Sequence, residues 1–207
     1  MRRIVRDTLL AACSLVVMAN ADGAIALAQP GGPGTTISGK VTCRGVRDCS
    51  EAIVFIESLP GRSFPPTPNA VMDQLNLTFV PHVLAVVVGT KVTFPNSDEV
   101  RHNLFSPSPV KRFNLGTYPK GVSKYVVFDK PGVVELLCNV HADMGAYVVV
   151  TETPYSALVA KDGSYVLKGV PTGTYVVRAW REELKDQRQE VTVSGGTSQT
   201  VNFELRR

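Results

Sequence analysis

Apolar positions in this chain fall in short, β-branched runs bounded by turn residues. The clearest runs cover residues 37–42, 52–57, 83–88, 91–94, 124–128, 133–137 and 147–151. Runs of this length and composition read as strands, whereas helical periodicity is weak everywhere. The expected fold class is therefore all-β, built as a sandwich. The run 83–88, then Gly89-Thr90, then 91–94 predicts a hairpin. Residues 60–68 carry four prolines and one glycine, so they read as an extended loop. A short helix or turn is expected around residues 69–75.

A second β unit begins near Thr153. Asp162-Gly163 is a hairpin signal, followed by the apolar runs 164–167 and 174–180. Strands near 189–193 and 199–205 close the unit, and the charged stretch 181–188 reads as a solvated loop. A unit of about 55 residues is near the lower limit for independent stability, so it is expected to pack against the first. The expected organisation is a signal peptide over 1–28, a first sandwich over 29–152 and a smaller one over 153–207.

The amino terminus reads as an export signal. Arg2, Arg3 and Arg6 precede an apolar stretch over 8–18, and small-residue cleavage sites follow. Cleavage after Ala28 is favoured, because Gln29 opens a Pro/Gly stretch. The apolar stretch is shorter than the roughly 20 residues of a membrane span. A rival reading makes Leu10-Ala11-Ala12-Cys13 a lipobox with Cys13 lipidated. Either way the mature chain is expected in the periplasm or secreted, with no transmembrane segment. A net charge of +4 and no basic run with interleaved aromatics argue against nucleic acid as a partner.

Cysteine parity then matters. Beyond the leader stand Cys43, Cys49 and Cys138. Cys43 and Cys49 flank a polar turn and pair most simply as a local disulfide in an oxidising compartment. That leaves Cys138 odd: either a buried free cysteine acting as a small hydrophobe or a thiol occupied by a metal. The run Cys138-Asn139-Val140-His141-Ala142-Asp143-Met144 puts a thiolate, an imidazole and a thioether in one short loop. Blue-copper sites use two histidines and a cysteine in a trigonal plane with a weak axial methionine. His102 is the candidate for the second histidine. Zinc would accept cysteine and histidine, but a methionine ligand argues for copper.

These residues also carry a family resemblance. Phe79-Val80-Pro81, the run from Val83 to Phe94, Asn96 and His102-Asn103 resemble the core signature of the cupredoxins, and Cys-x-x-His-x-x-Met resembles the amicyanin spacing. The resemblance covers about residues 35–152 and implies a Greek-key sandwich. It implies one copper ion held by His102, Cys138, His141 and Met144. It also implies that Asn103 ties the two ligand loops together by hydrogen bonds, and that His141 is the solvent-edge ligand. Val140 stands where the family has proline, so its N–H is free to donate to the thiolate and raise the potential. Asp143 would pull the other way. Asp162-Gly163-Ser164-Tyr165 with Gly169-Val170-Pro171, Gly173, Tyr175 and Trp180 resembles the carboxypeptidase-regulatory-like, transthyretin-related sandwich, which says little about function.

The expected function is a non-enzymatic exported protein that shuttles single electrons between a donor and an acceptor protein. No Gly-x-Ser-x-Gly, His-Glu-x-x-His or phosphate-loop motif supports hydrolysis. Two alternatives stand: a copper-delivery protein, and an interaction module in which copper is structural. His82 is expected to be an ordinary surface or half-buried strand histidine, with a nearby outer contact to the metal end or a second metal-ligand role as its rivals.

Overall fold

The computed structural model describes residues 34–196 and 198–207. The signal peptide, its cleavage sites and Cys13 lie outside the described residues. The fold is all-β among the described residues, and no helix there is long and apolar enough to cross a membrane.

Strands β1 (Thr35–Cys43) and β2 (Ile53–Ile56) come first. The middle of the chain holds β3 (Asp73–Leu75), β4 (Thr78–Val80), β5 (Val83–Val87), β6 (Thr90–Pro95) and β7 (His102–Ser106). It continues with β8 (Phe113–Tyr118), β9 (Ser123–Phe128), β10 (Gly132–Leu137) and β11 (Gly145–Thr151). The last third holds β12 (Ser156–Leu158), β13 (Ser164–Val170), β14 (Gly173–Trp180), β15 (Gln187–Val193), β16 (Gln199–Thr200) and β17 (Phe203–Leu205).

In the middle unit the sheet β5-β11-β10-β7-β8 packs over the pair β6-β9, with the β3-β4 hairpin alongside. Their inner faces enclose Met72, Phe79, Phe94, Leu104, Phe128 and Leu136, which lie in one buried cluster. Around residues 69–75 a turn at residues 68–69 stands in place of a helix; Val71 then bridges Thr93, and Asp73–Leu75 is a strand. Nor do β5 and β6 form the expected hairpin. β5 pairs in parallel with β11, and β6 pairs with β9, so the turn at Gly89 carries the chain from one sheet to the other. Gly89 takes a φ of 86°, a left-handed conformation that glycine adopts freely.

The division after residue 152 does not hold for the first two strands. β1 pairs with β13, β16 and β17, and β2 lies between β12 and β14. Both therefore belong to the carboxy-terminal sandwich, and the middle unit is inserted between β2 and β12. Core size supplies the physical reason. The last 55 or so residues bury too little alone, and β1 and β2 add Ile37, Val41, Val54 and Ile56 to that core. A Cys43–Cys49 disulfide closes the turn that follows β1.

The units share an apolar layer. Ile53 and Phe55 from β2 meet Val83 and Val149 from the middle unit, all buried, with Tyr147, Leu158 and Trp180 packed around them. Strand β5 is covered on both faces for this reason, which is why its sequence is almost continuously apolar.

Candidate metal centre

Two strand ends and one loop build the centre. His102 opens β7, opposite Tyr118 of β8. Cys138 follows β10, and the loop 138–144 connects β10 to β11 across the pair Leu137 and Gly145. Two backbone hydrogen bonds hold that loop: Cys138 N–H donates to Met144 O and Met144 N–H to His141 O, each at 3.1 Å. A rigid ladder on either side thus fixes the direction of every side chain in it.

His102, Cys138 and His141 converge. One ligand atom from each lies within 4.8 Å of the others. His102 Nδ1 stands 3.1 Å from His141 Nδ1, and Cys138 Sγ stands 4.0 Å from His141 Nδ1. Cys138 is unpaired and buried, His102 is fully buried, and His141 is half-buried. Met144 is 1% exposed and lies in the same buried cluster as Cys138.

His102 is oriented from behind. Its Nε2 lies 2.7 Å from Asp98 Oδ2. The same carboxylate accepts from Asn76 N–H at 2.7 Å and Leu77 N–H at 2.8 Å. Burial works against the charged form of Asp98, but the donors Leu77, His102 and Asn76 outweigh it and hold the carboxyl below its usual range. An ionised Asp98 takes the proton-bearing Nε2 and leaves the Nδ1 lone pair facing His141. Sequence reasoning missed Asp98; its one signal was an acidic residue four positions before a candidate ligand.

Asn103 is 3% exposed, and its Nδ2 donates to Asn114 Oδ1 at 3.0 Å, across β7 and β8 and not to the Cys138 loop it is expected to tie. Its Oδ1 is buried without a hydrogen-bond partner. The bond from Val140 N–H to the thiolate is absent; Cys138 Sγ meets His141 Nδ1 instead, and Val140 is 51% exposed. His82 stands apart from the cluster, with Nε2 2.8 Å from Glu182 Oε2 of the carboxy-terminal unit. Tyr147 OH donates to the other oxygen of Glu182 at 3.0 Å. Burial and the Glu182 charge push the Tyr147 phenol above its usual range. Asp143 is exposed and borders a cleft of about 550 Å³ between the two units, together with His82, Glu135 and Glu182.

The donor set fits copper. One soft thiolate, two imidazoles and a nearby thioether suit both of its oxidation states. Among the described residues the polar contact of Cys138 Sγ is His141 Nδ1, and Asp98 holds the His102 imidazole in the tautomer that ligation needs.

Comparison with known proteins gives one family match and several similar solved structures. The family model described as Carboxypeptidase regulatory-like domain matches residues 144–206. Among solved structures the chain is similar to the novel purple cupredoxin from Nitrosopumilus maritimus, at 26% identity over 40% of this chain and 100% of that one, with a TM-score of 0.38. It is similar to an oxidised mutant of amicyanin at 24% identity, over 40% of this chain and 81% of that one, with a TM-score of 0.38. It is also similar to the Cu-containing nitrite reductase from Thermus scotoductus at 22% identity, over 47% of this chain and 25% of that one, with a TM-score of 0.40. No curated protein matches.

Proposed function

We propose that this protein carries single electrons on one copper ion that His102, Cys138 and His141 would hold, with Met144 as a fourth, weaker donor. The observation that carries the reading is the convergence of those three donors, with Cys138 buried and outside the disulfide. Bound copper supplies a one-electron couple at moderate potential. The chain supplies the rest. Strands β7, β10 and β11 hold the donors in place, so little reorganises when the charge changes. Asp98 keeps His102 in one tautomer, and burial of Cys138 excludes water from the thiolate.

Electrons enter and leave at His141, the ligand nearest solvent. Leu77, Val80, Val100 and Val140, on the segments that build or flank the site, are 44–51% exposed. An apolar surface of this kind suits brief contact with a donor and an acceptor protein. Export, with a periplasmic or secreted location, is supported by the leader read in the sequence and by the Cys43–Cys49 disulfide. A delivery role is disfavoured by the burial of Cys138 and His102, which a copper acceptor would have to reach.

Titration of the apo protein with Cu(II) tests the reading. One equivalent should be taken up with an intense blue thiolate-to-copper band, and Cys138→Ser should abolish the band. Retention of the same spectrum by Cys138→Ser would refute it.

A further inference from the structure

The β3-β4 hairpin turns on Asn76 and Leu77, between the paired residues Leu75 and Thr78. Both turn residues have positive φ, 55° and 58°, the signature of a type I′ turn. Asparagine tolerates that conformation, but the second position ordinarily takes glycine. Here it holds a leucine that is 49% exposed. Nothing in the hydrophobic core explains a leucine held in a left-handed conformation with half its surface in water.

What holds the turn is Asp98. Its Oδ1 accepts from Asn76 N–H and its Oδ2 from Leu77 N–H. Asp98 is in turn fixed by its own N–H, which donates to Asn96 Oδ1 at 2.9 Å and Gln74 O at 3.1 Å. Oδ2, shared with Leu77, also meets His102 Nε2 at 2.7 Å. One carboxylate therefore bonds the tip of an exposed hairpin and the back of a buried imidazole.

We propose that the Asn76–Leu77 turn is a positioning element for His102, acting through Asp98. The inference rests on the reading of His102 as a copper ligand, and it assigns a role in that site to two residues 25 or more positions away in sequence. The turn donates the two N–H groups that set the carboxylate plane; that plane sets the His102 ring and the direction of its Nδ1. Because Leu77 lies at the surface, contact with another molecule there reaches the ligand through two hydrogen bonds.

The test uses the full chain in its apo and copper forms. Asn76→Pro locks φ near −65°, which the turn cannot accept, and removes one donor. Leu77→Gly keeps the turn and both N–H groups. Nitrogen NMR of the apo protein should show His102 as the Nε2–H tautomer in the parent and in Leu77→Gly, and loss of that preference in Asn76→Pro. With copper, Asn76→Pro should show a changed hyperfine splitting and an affinity lowered about tenfold or more, the scale of losing an outer-shell contact. Should Asn76→Pro fail to fold, Leu77→Val opposes the same turn through its β-branch, with the same changes expected. A folded variant with an opened turn, an unchanged His102 tautomer and an unchanged copper spectrum would overturn the proposal. The apo measurement decides it even if copper uptake fails, so its failure and that of the copper reading are distinct.

Discussion

Asp98 Oδ2 and His102 Nε2 stand 2.7 Å apart, four residues from each other in sequence, and leave His102 Nδ1 facing His141. Replacing the carboxylate should loosen the imidazole without emptying the pocket. Asp98→Asn is expected to fold and to bind copper about 10 to 100 times more weakly. Competition against a chelator of known affinity measures this. An affinity equal to the parent's would remove Asp98 from the centre.

The same residue gives the middle unit a pH dependence in the apo form. The folded-state pKa of Asp98 is lowered, so its contribution is present in full above the ordinary carboxylate range and is lost as pH falls through the folded value. Urea midpoints of the apo protein should therefore drop on acidification. Asp98→Asn should flatten part of that drop, and equal slopes in parent and variant would contradict the assignment.

Met144 is buried in the same cluster as Cys138, so an axial role is separable from a packing role. Leucine conserves volume, and Met144→Leu should cost less than about 1.5 kcal/mol of stability. It removes a weak donor to Cu(II), so the reduction potential should rise. Voltammetry of parent and variant decides, and an unchanged potential would make Met144 a core residue only.

The cluster of His102, Cys138 and His141 was legible because its chemistry is local: Cys138 and His141 lie in one loop, and His102 is one of only three histidines. Asp98 was not, because its role depends on Asn76 and Leu77 folding back over it. The strands were legible from β-branched runs, but their partners were not. Gly89-Thr90 has the look of a hairpin turn, yet β5 finds its partner in β11, which lies about 60 residues on. Likewise β1 carries no local sign that it will pair with β13 and β17 across an inserted unit.

That insertion has a direct consequence at Gly39. A Cβ there would stand 1.8 Å from Val201 O, a backbone atom that cannot move without breaking the β1 pairing. Gly39→Ala is expected to destabilise the carboxy-terminal sandwich by about 2 kcal/mol or more. Chemical denaturation should show it, with the copper spectrum of the folded protein unchanged.

The apolar layer between the units makes a further prediction. Ile53 is fully buried there against Val83 and Val149. Ile53→Ala should cost about 2–5 kcal/mol and loosen the contact that couples the two cores. Unfolding followed by tryptophan fluorescence, from Trp180 in the carboxy-terminal unit, and by copper absorbance should then separate into two transitions. Coincident transitions at the parent midpoint would show that the layer does not couple the units.

The central claim is that one copper ion at His102, Cys138 and His141 cycles by one electron. Its most direct test is a potentiometric titration of the copper-loaded protein followed by electron paramagnetic resonance. One reversible one-electron transition is expected, with narrow copper hyperfine splitting in the oxidised form that is lost in Cys138→Ser. A wide hyperfine splitting that survives Cys138→Ser, or copper that dissociates on reduction, would contradict it.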